Sequence, residues 1–430
     1  MTKDRSQKVS PQSGPKQAPG TTRRTVLQAG ALATGALALN QPLSAGSAPK
    51  RRGNTKVTVV LFQHGGADHL NLYAPTGDSN YPLLRPTSAI GAPGSSAAVV
   101  GLGMDPMFSM HPNMVGTHAA FTAHQSECAI VHAVGYSPYS RSHFASQDLY
   151  ETALAGVFNG GWINRHLQAT ATSQDAPVRA LALRGDLPMS LRGDYPCYAV
   201  SSTEQLVYNG PPAARVFLDK LAHGTEISRM LPEQRAAYQA QRDSFAMLDM
   251  FSVLDPGNYV PSNGAAYPSG HVGESLRQIA EVIKADLGVE FFALEHHGWD
   301  HHSDLVMRID GHSSNFDGSI SAFFDDLGAL AQDVVLVTMS EFGRTAAENG
   351  SGGTDHGVGG AMLVRGGGVN GGQVYGAWPG LQPAQLAGGH SLAATTDFRD
   401  VLREILDVHM GGTDPAVTFP AHVHQPVGVM

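Results

Sequence analysis

Lys56-Val-Thr-Val-Val-Leu-Phe, continued by Gln63-His64-Gly65-Gly66-Ala67-Asp68-His69-Leu70-Asn71, sets the expected architecture of the chain. Its first half is a continuous apolar, β-branched run, as expected of a parallel strand buried on both faces. Its second half turns polar at once, and the two glycines permit a tight turn into a site. A strand that ends in a polar cluster is the signature of an open α/β sheet, where binding groups collect beyond the carboxyl ends of strands.

The same grammar recurs along the chain. Cys128-Ala-Ile-Val-His-Ala-Val exits into Gly135-Tyr-Ser-Pro-Tyr-Ser140-Arg141-Ser142-His143-Phe144, followed by a helix expected over 145–154. Gly288-Val-Glu-Phe-Phe-Ala-Leu exits into Glu295-His-His-Gly-Trp-Asp300-His-His302-Ser-Asp304, where four histidines and two aspartates fall within ten residues. Asp333-Val-Val-Leu-Val-Thr-Met exits into Ser340-Glu341-Phe342-Gly343-Arg344. A Gly-rich loop then leads through Thr354-Asp355-His356 to the strand Ala361-Met-Leu-Val-Arg. Helices are expected over 112–124, 233–251, 315–330 and 398–406. Strand, polar loop, helix, strand is βαβ grammar, and it predicts a three-layer α/β/α sandwich with a mostly parallel central sheet. Residues 160–285 mix short strands such as Ala180-Leu-Ala-Leu with helices. They read as an insertion or cap on a single domain spanning 49–430.

Residues 1–48 read as an export address. Arg23 and Arg24 precede an Ala/Gly/Leu-rich run from Gln28 to Leu39, and small residues at Ala45 to Ala48 offer a cleavage region. This order is that of a twin-arginine signal, which implies the Tat machinery as a partner and a periplasmic or secreted location. The run is too short to span a membrane stably. A net charge of −9 with few charged residues argues against nucleic acid or an anionic membrane as partner. Twenty histidines exceed ordinary usage and call for a role. Cys128 and Cys197 can pair in an oxidising compartment or stay as buried thiols; spacing leaves both open.

Five motifs in order, G-G-A-D-H-L-N, S-R-S-H-F with Gln147-Asp148, G-W-D-H-H, S-E-F-G-R and G-G-T-D-H-G, resemble the domain-of-unknown-function family 1501 over about 56–410. That family is grouped with the alkaline phosphatase and sulfatase superfamily. The resemblance implies an alkaline phosphatase-like fold with metals at the carboxyl edge of the sheet. It places a first-strand metal ligand at Asp68 and a nucleophile in the region of Ser142 or Ser140. It places further ligands at Asp300, His302, Asp355 and His356, with Glu341 as an acidic ligand or support. The Asp-His-His spacing is tighter than the Asp-x-x-x-His common in phosphatases. No Cys-x-Pro-x-Arg occurs, which counts against a formylglycine sulfatase.

Residue chemistry points the same way. Mixed carboxylate and imidazole ligands suit zinc, with magnesium, calcium or manganese as alternatives, as one ion or two. A serine at a helix N-terminus gains from backbone N–H groups that favour an oxyanion. Arg141 or Arg344 is a candidate clamp for a non-bridging oxygen, and His143 a candidate supporting donor. The expected function is an exported metal-dependent hydrolase of a phosphate or sulfate ester on a small molecule or glycan. Two other readings stay open: a non-catalytic binding or assembly protein, and a hydrolase using metal-bound hydroxide without a serine nucleophile. Each residue also has an ordinary structural role available. Asp68 can cap a turn, Ser140 and Ser142 can cap a helix, and Glu341 can pair with Arg344.

Overall fold

The computed structural model describes residues 55–97, 99–155, 160–172, 175–208, 210–223 and 231–430. The leader expected over 1–48 lies outside them. A helix at Pro212–His223 groups apart from the remaining described chain. The larger unit, 45–209 with 224–430, carries the main sheet.

The opening strand forms as expected. β1 (Val57–Gln63) has all seven residues buried. The other long strands are β2 (Cys128–Gly135), β3 (Ala180–Leu183), β4 (Tyr198–Val200), β5 (Phe291–His296), β6 (Val334–Met339) and β7 (Gly360–Gly366). Two-residue strands β8 (Val374–Tyr375) and β9 (Thr396–Asp397) both pair with β2. The sheet runs β8-β2-β7-β6-β1-β5-β3-β4. β1 is parallel to both neighbours, β5 and β6, and β3 is parallel to β4 and β5. Only β7 runs antiparallel to its neighbours β2 and β6 among the described strands of this sheet.

Alternation along β1 divides its side chains between two cores. Val57, Val59 and Leu61 join one core with Leu276 and Ile279 of helix α5 (His271–Lys284) and Phe316, Ile320 and Phe323 of α6 (Leu305–Leu327). Helices α1 (Val115–Thr122) and α4 (Pro232–Phe251) add Phe121 and Phe251 to that face. Val60 and Phe62 join the other core with Tyr150 of α2 (His143–Thr152), Trp162 and Leu167 of α3 (Trp162–Ala169), and Phe398 and Leu402 of α7 (Phe398–Glu404). Helices on both faces of a mostly parallel sheet make the expected three-layer sandwich.

Two details differ from the sequence-based expectation, and a third settles an open one. The stretch 160–285, expected as an insertion or cap, contributes β3 and β4 to the main sheet. Helix α6 starts at Leu305, ten residues before the expected 315. Its first turns carry Gly311, Ser313 and Ser314, whose weak helix propensity masks the buried Leu305 and Ile309. Of the two states the sequence leaves open for Cys128 and Cys197, the free thiol is the one found for both. Cys128 lies on β2 and Cys197 just before β4, near opposite edges of the sheet. Burial pushes each thiol up to about 12.

Candidate metal centre

The loops leaving β1, β2, β5 and β6 meet beyond one edge of the sheet. Two glycines let them approach. Gly65, at φ +121, sits where a Cβ would overlap the Asp300 backbone nitrogen, and a Cβ on Gly353 would overlap the His302 backbone. Isolated bridges Arg344 to His356 and Ser303 to Gly352 fasten the loops further.

Asp300 is the point of convergence. His143 Nε2 lies 3.6 Å from its Oδ2; His302 Nε2 and His356 Nε2 lie 3.1 and 3.4 Å from its Oδ1. Ligand atoms of His143, Asp300 and His356 all fall within 4.8 Å of one another. His302 Nε2 is 3.0 Å from His356 Nε2.

Each of these rings is held from behind. His143 Nδ1 is 2.6 Å from Glu341 Oε1, His356 Nδ1 is 2.9 Å from the Arg141 carbonyl, and His302 Nδ1 is 2.9 Å from Asp355 Oδ1. A carbonyl or carboxylate oxygen only accepts, so each Nδ1 is the donor. In the neutral ring Nε2 then presents a lone pair. Three lone pairs converge on one carboxylate, an arrangement that is repulsive unless a cation or proton lies among them. A metal-binding imidazole is commonly fixed through its far nitrogen in this way. The donor set of imidazoles and a carboxylate therefore fits a divalent ion, zinc first by ligand class.

Charge in the site is arranged to match. Burial opposes ionisation of Asp300, but the Arg344 guanidinium, 2.5 Å from Oδ1, holds the carboxyl below its usual range. Glu341 is buried and also lowered, through His143 and backbone N–H groups of the β1 exit turn, including Gly65 at 2.8 Å. The hydrogen bond to Glu341 in turn raises His143 above its ordinary value. Burial lowers His356.

The expected site residues thus separate into groups. Asp300, His302 and His356 lie together, and His143, expected only as a supporting donor, stands among the ligand atoms. Glu341 orients His143 from behind, and Asp355, expected as a ligand, instead stands behind His302. Ser142 is exposed and is the N-cap of α2, with no side-chain capping hydrogen bond. Ser140 accepts the Ser142 N–H at 3.1 Å, which gives it a turn-forming role. Arg141 is exposed and its Nη1 lies 3.0 Å from His390 Nε2.

Two further expectations are corrected. Asp68 does not join the cluster: it is fully buried, with Oδ1 2.7 Å from Arg85 Nη1 and Oδ2 accepting from the Thr354 hydroxyl at 2.8 Å. Burial opposes its charge, yet Arg85 holds its carboxyl below the usual range. Arg344 is no substrate clamp, because it is buried and its donors go to the carbonyls of Gly65, Gly66, Trp299 and Thr354 as well as to Asp300. It is a knot tying three loops together, and it leaves Glu341 to His143.

A second group is not apparent from the sequence: His64, Glu295 and His297 also bring ligand atoms within 4.8 Å of one another. The signal lies in the parallel pairing of β1 with β5, which sets their exits side by side. Burial raises the Glu295 carboxyl, but His64, His297 and Arg184 together bring it down to about 2.

Over residues 55–422 the sequence matches the family described as Protein of unknown function (DUF1501). No curated protein matches it. Among solved structures it is similar to the PsFucS1 sulfatase from Pseudoalteromonas sp., at 11% identity and a TM-score of 0.36, covering 87% of this chain and 73% of that one. It is also similar to the zinc complex of the C-terminal periplasmic domain of EcEptC from Escherichia coli, at 10% identity and a TM-score of 0.29, covering 74% of each chain. A magnesium-bound mutant of TAB5 alkaline phosphatase is similar at 10% identity and a TM-score of 0.27, covering 73% of this chain and 91% of the other.

Proposed function

The chain belongs to the DUF1501 family, and from the chemistry of its own residues we propose that it is a metal-dependent hydrolase of phosphate or sulfate esters. The observation that carries the reading is the convergence of three Nε2-presenting imidazoles on Asp300, one of them, His143, directly following Ser142 at the start of α2.

His143, Asp300 and His356 would hold the ion, with His302 beside them. A divalent ion bound there, zinc or alternatively magnesium, calcium or manganese, supplies Lewis-acid stabilisation of charge on the ester oxygens. Ser142 is the attacking oxygen. It is exposed at the start of α2, where unpaired backbone N–H groups and the helix dipole favour negative charge on both the serine and the ester. Ser140 fixes the turn by accepting the Ser142 N–H. Arg141, exposed next to it, binds a non-bridging oxygen through its planar fork. Glu341 keeps the His143 ring in one orientation throughout, and Arg344 keeps Asp300 ionised and aimed.

Export through the Tat route, with a periplasmic or secreted site of action, is part of the same proposal. It is supported by Arg23 and Arg24 before the apolar run in the sequence. Among the described residues no helix is long and apolar enough to cross a membrane. The substrate is a small-molecule or glycan ester.

The test is a panel of nitrophenyl phosphate, bis-nitrophenyl phosphate and nitrophenyl sulfate, assayed with metal-loaded wild type, Ser142→Ala and Ser140→Ala. Turnover of at least one ester, lost in Ser142→Ala and retained in Ser140→Ala, is expected. Turnover unchanged in both variants assigns the attack to water. No turnover of any ester rejects hydrolysis in favour of a binding role.

A further inference from the structure

We propose that His64, Glu295 and His297 form a second divalent-cation site, separate in its ligands from the Asp300 cluster and of the zinc class by its donors.

The site arises from strand register. β1 and β5 run parallel with Phe62 opposite Glu295 and Gln63 opposite His296. The next residues, His64 and His297, therefore leave the sheet beside each other. Alternation along β5 puts Glu295 on the face of Phe291 and Ala293, and His296 on the opposite face against Trp299 and Phe316. One carboxylate and two imidazoles are thus brought together by backbone geometry alone.

Their atoms are spaced for a cation. His64 Nε2 is 3.3 Å from Glu295 Oε2, and His297 Nε2 is 2.9 Å from Oε1. In a tetrahedral zinc site with bonds of about 2.0–2.2 Å, ligand atoms stand roughly 3.3–3.6 Å apart. His64 already has that spacing, and exposed His297 would reach it by moving out a few tenths of an ångström. The two rings stack with centroids 4.7 Å apart and planes 19° apart, so both point their edges at the same carboxylate.

Burial adds evidence independent of spacing. His64 Nε2 and Glu295 Oε2 are both buried and neither makes a hydrogen bond, although they face each other. A buried polar atom without an aligned hydrogen bond is costly, and His64 Nε2 is such an atom, aimed at the carboxylate. Arg184 Nη1 lies 2.9 Å from the same Oε2, in a charge contact without hydrogen-bond alignment. Its Nε is separately held by Asp186 at 3.0 Å, so the guanidinium stays anchored when a cation takes the carboxylate oxygen. Two imidazoles with one glutamate is a donor set that zinc uses with a further position open to water.

The site has a place in the architecture. His64 immediately precedes Gly65, whose N–H supports Glu341 and whose carbonyl holds Arg344. A cation on His64 would brace the turn that underlies the Asp300 cluster. Cation binding here does not depend on ester hydrolysis.

The test is equilibrium dialysis of the full chain against zinc, followed by elemental analysis, on wild type, His297→Ala, Glu295→Gln and His356→Ala, with folding checked by circular dichroism. About two zinc per chain are expected in wild type and about one in each variant, with His297→Ala and His356→Ala combined binding none. His297 is 63% exposed, so its alanine variant is the one least able to disturb folding. Stoichiometry in His297→Ala and Glu295→Gln equal to wild type overturns the proposal, whatever the esterase assays show. A single wild-type equivalent that only His356→Ala removes overturns it too.

Discussion

Asp68 and Asp300 occupy equivalent places in the grammar of the chain: each comes after a buried central strand, in a glycine-containing turn beside histidines. The fold treats them oppositely. Asp68 is sealed from solvent with both oxygens engaged by Arg85 and Thr354. Asp300 keeps 45% side-chain exposure and gathers three imidazole nitrogens. The difference shows that ligand type at a strand exit is not enough. A carboxylate serves a ligand only if one of its oxygens stays within reach. Asp300, though paired with buried Arg344 through Oδ1, remains accessible, whereas Asp68 is sealed with both oxygens engaged.

The largest effect expected is on stability. Asp68→Asn strands the fully buried Arg85 charge and should destabilise the protein by about 3–5 kcal/mol, read as a lowered urea midpoint. The same variant should bind as much zinc as wild type; loss of one equivalent in folded protein would make Asp68 a ligand and erase its difference from Asp300. Asp300→Asn should do the reverse. Ester turnover falls at least about 10²-fold, zinc at the Asp300 cluster is lost on elemental analysis, and the urea midpoint moves less than in Asp68→Asn.

Glu341→Gln probes the Asp300 side from a distance, since Glu341 supports His143 from behind. The variant removes the acceptor charge that fixes and polarises His143, so zinc affinity should fall roughly 10–100-fold in competition with a chelating dye. Unchanged affinity would mean that His143 is not a ligand.

The smallest effect is on pH dependence. His69 and His132 are buried, and burial lowers them to about 3 and about 4. The unfolded chain takes up protons near the ordinary 6.5, while the folded chain does not until about 4, so acid favours unfolding. Stability is complete above about 6.5 and is lost as pH falls toward 4, by on the order of 1–2 kcal/mol per buried imidazole at pH 5. Urea midpoints at about pH 7.5 and about pH 5 measure it; a midpoint that does not fall contradicts neutral burial.

Much of the fold is legible in the sequence. The strands at 57, 128, 180, 291, 334 and 360 declare themselves by apolar β-branched runs, because parallel strands buried on both faces tolerate little else. Asp300, His302 and His356 stand out by density and by position at strand exits. Pairing across the chain is what stays hidden. Arg85 lies in a Pro- and Ser-rich loop with nothing local to mark it, yet it is one of the two partners that seal Asp68 away from the ligand set. His143 reads as a helper because its partner Glu341 is far along the chain. The His64, Glu295 and His297 group depends on the register between β1 and β5, which no single segment contains.

Anomalous diffraction at the zinc edge, from crystals grown with zinc at neutral pH, decides whether Asp300 and its imidazoles hold a metal. A peak at about 2.0–2.2 Å from His143 Nε2, Asp300 and His356 Nε2 is the predicted result. A peak on Asp68, or no peak beside Asp300 in crystals whose protein is otherwise folded as described, would contradict it.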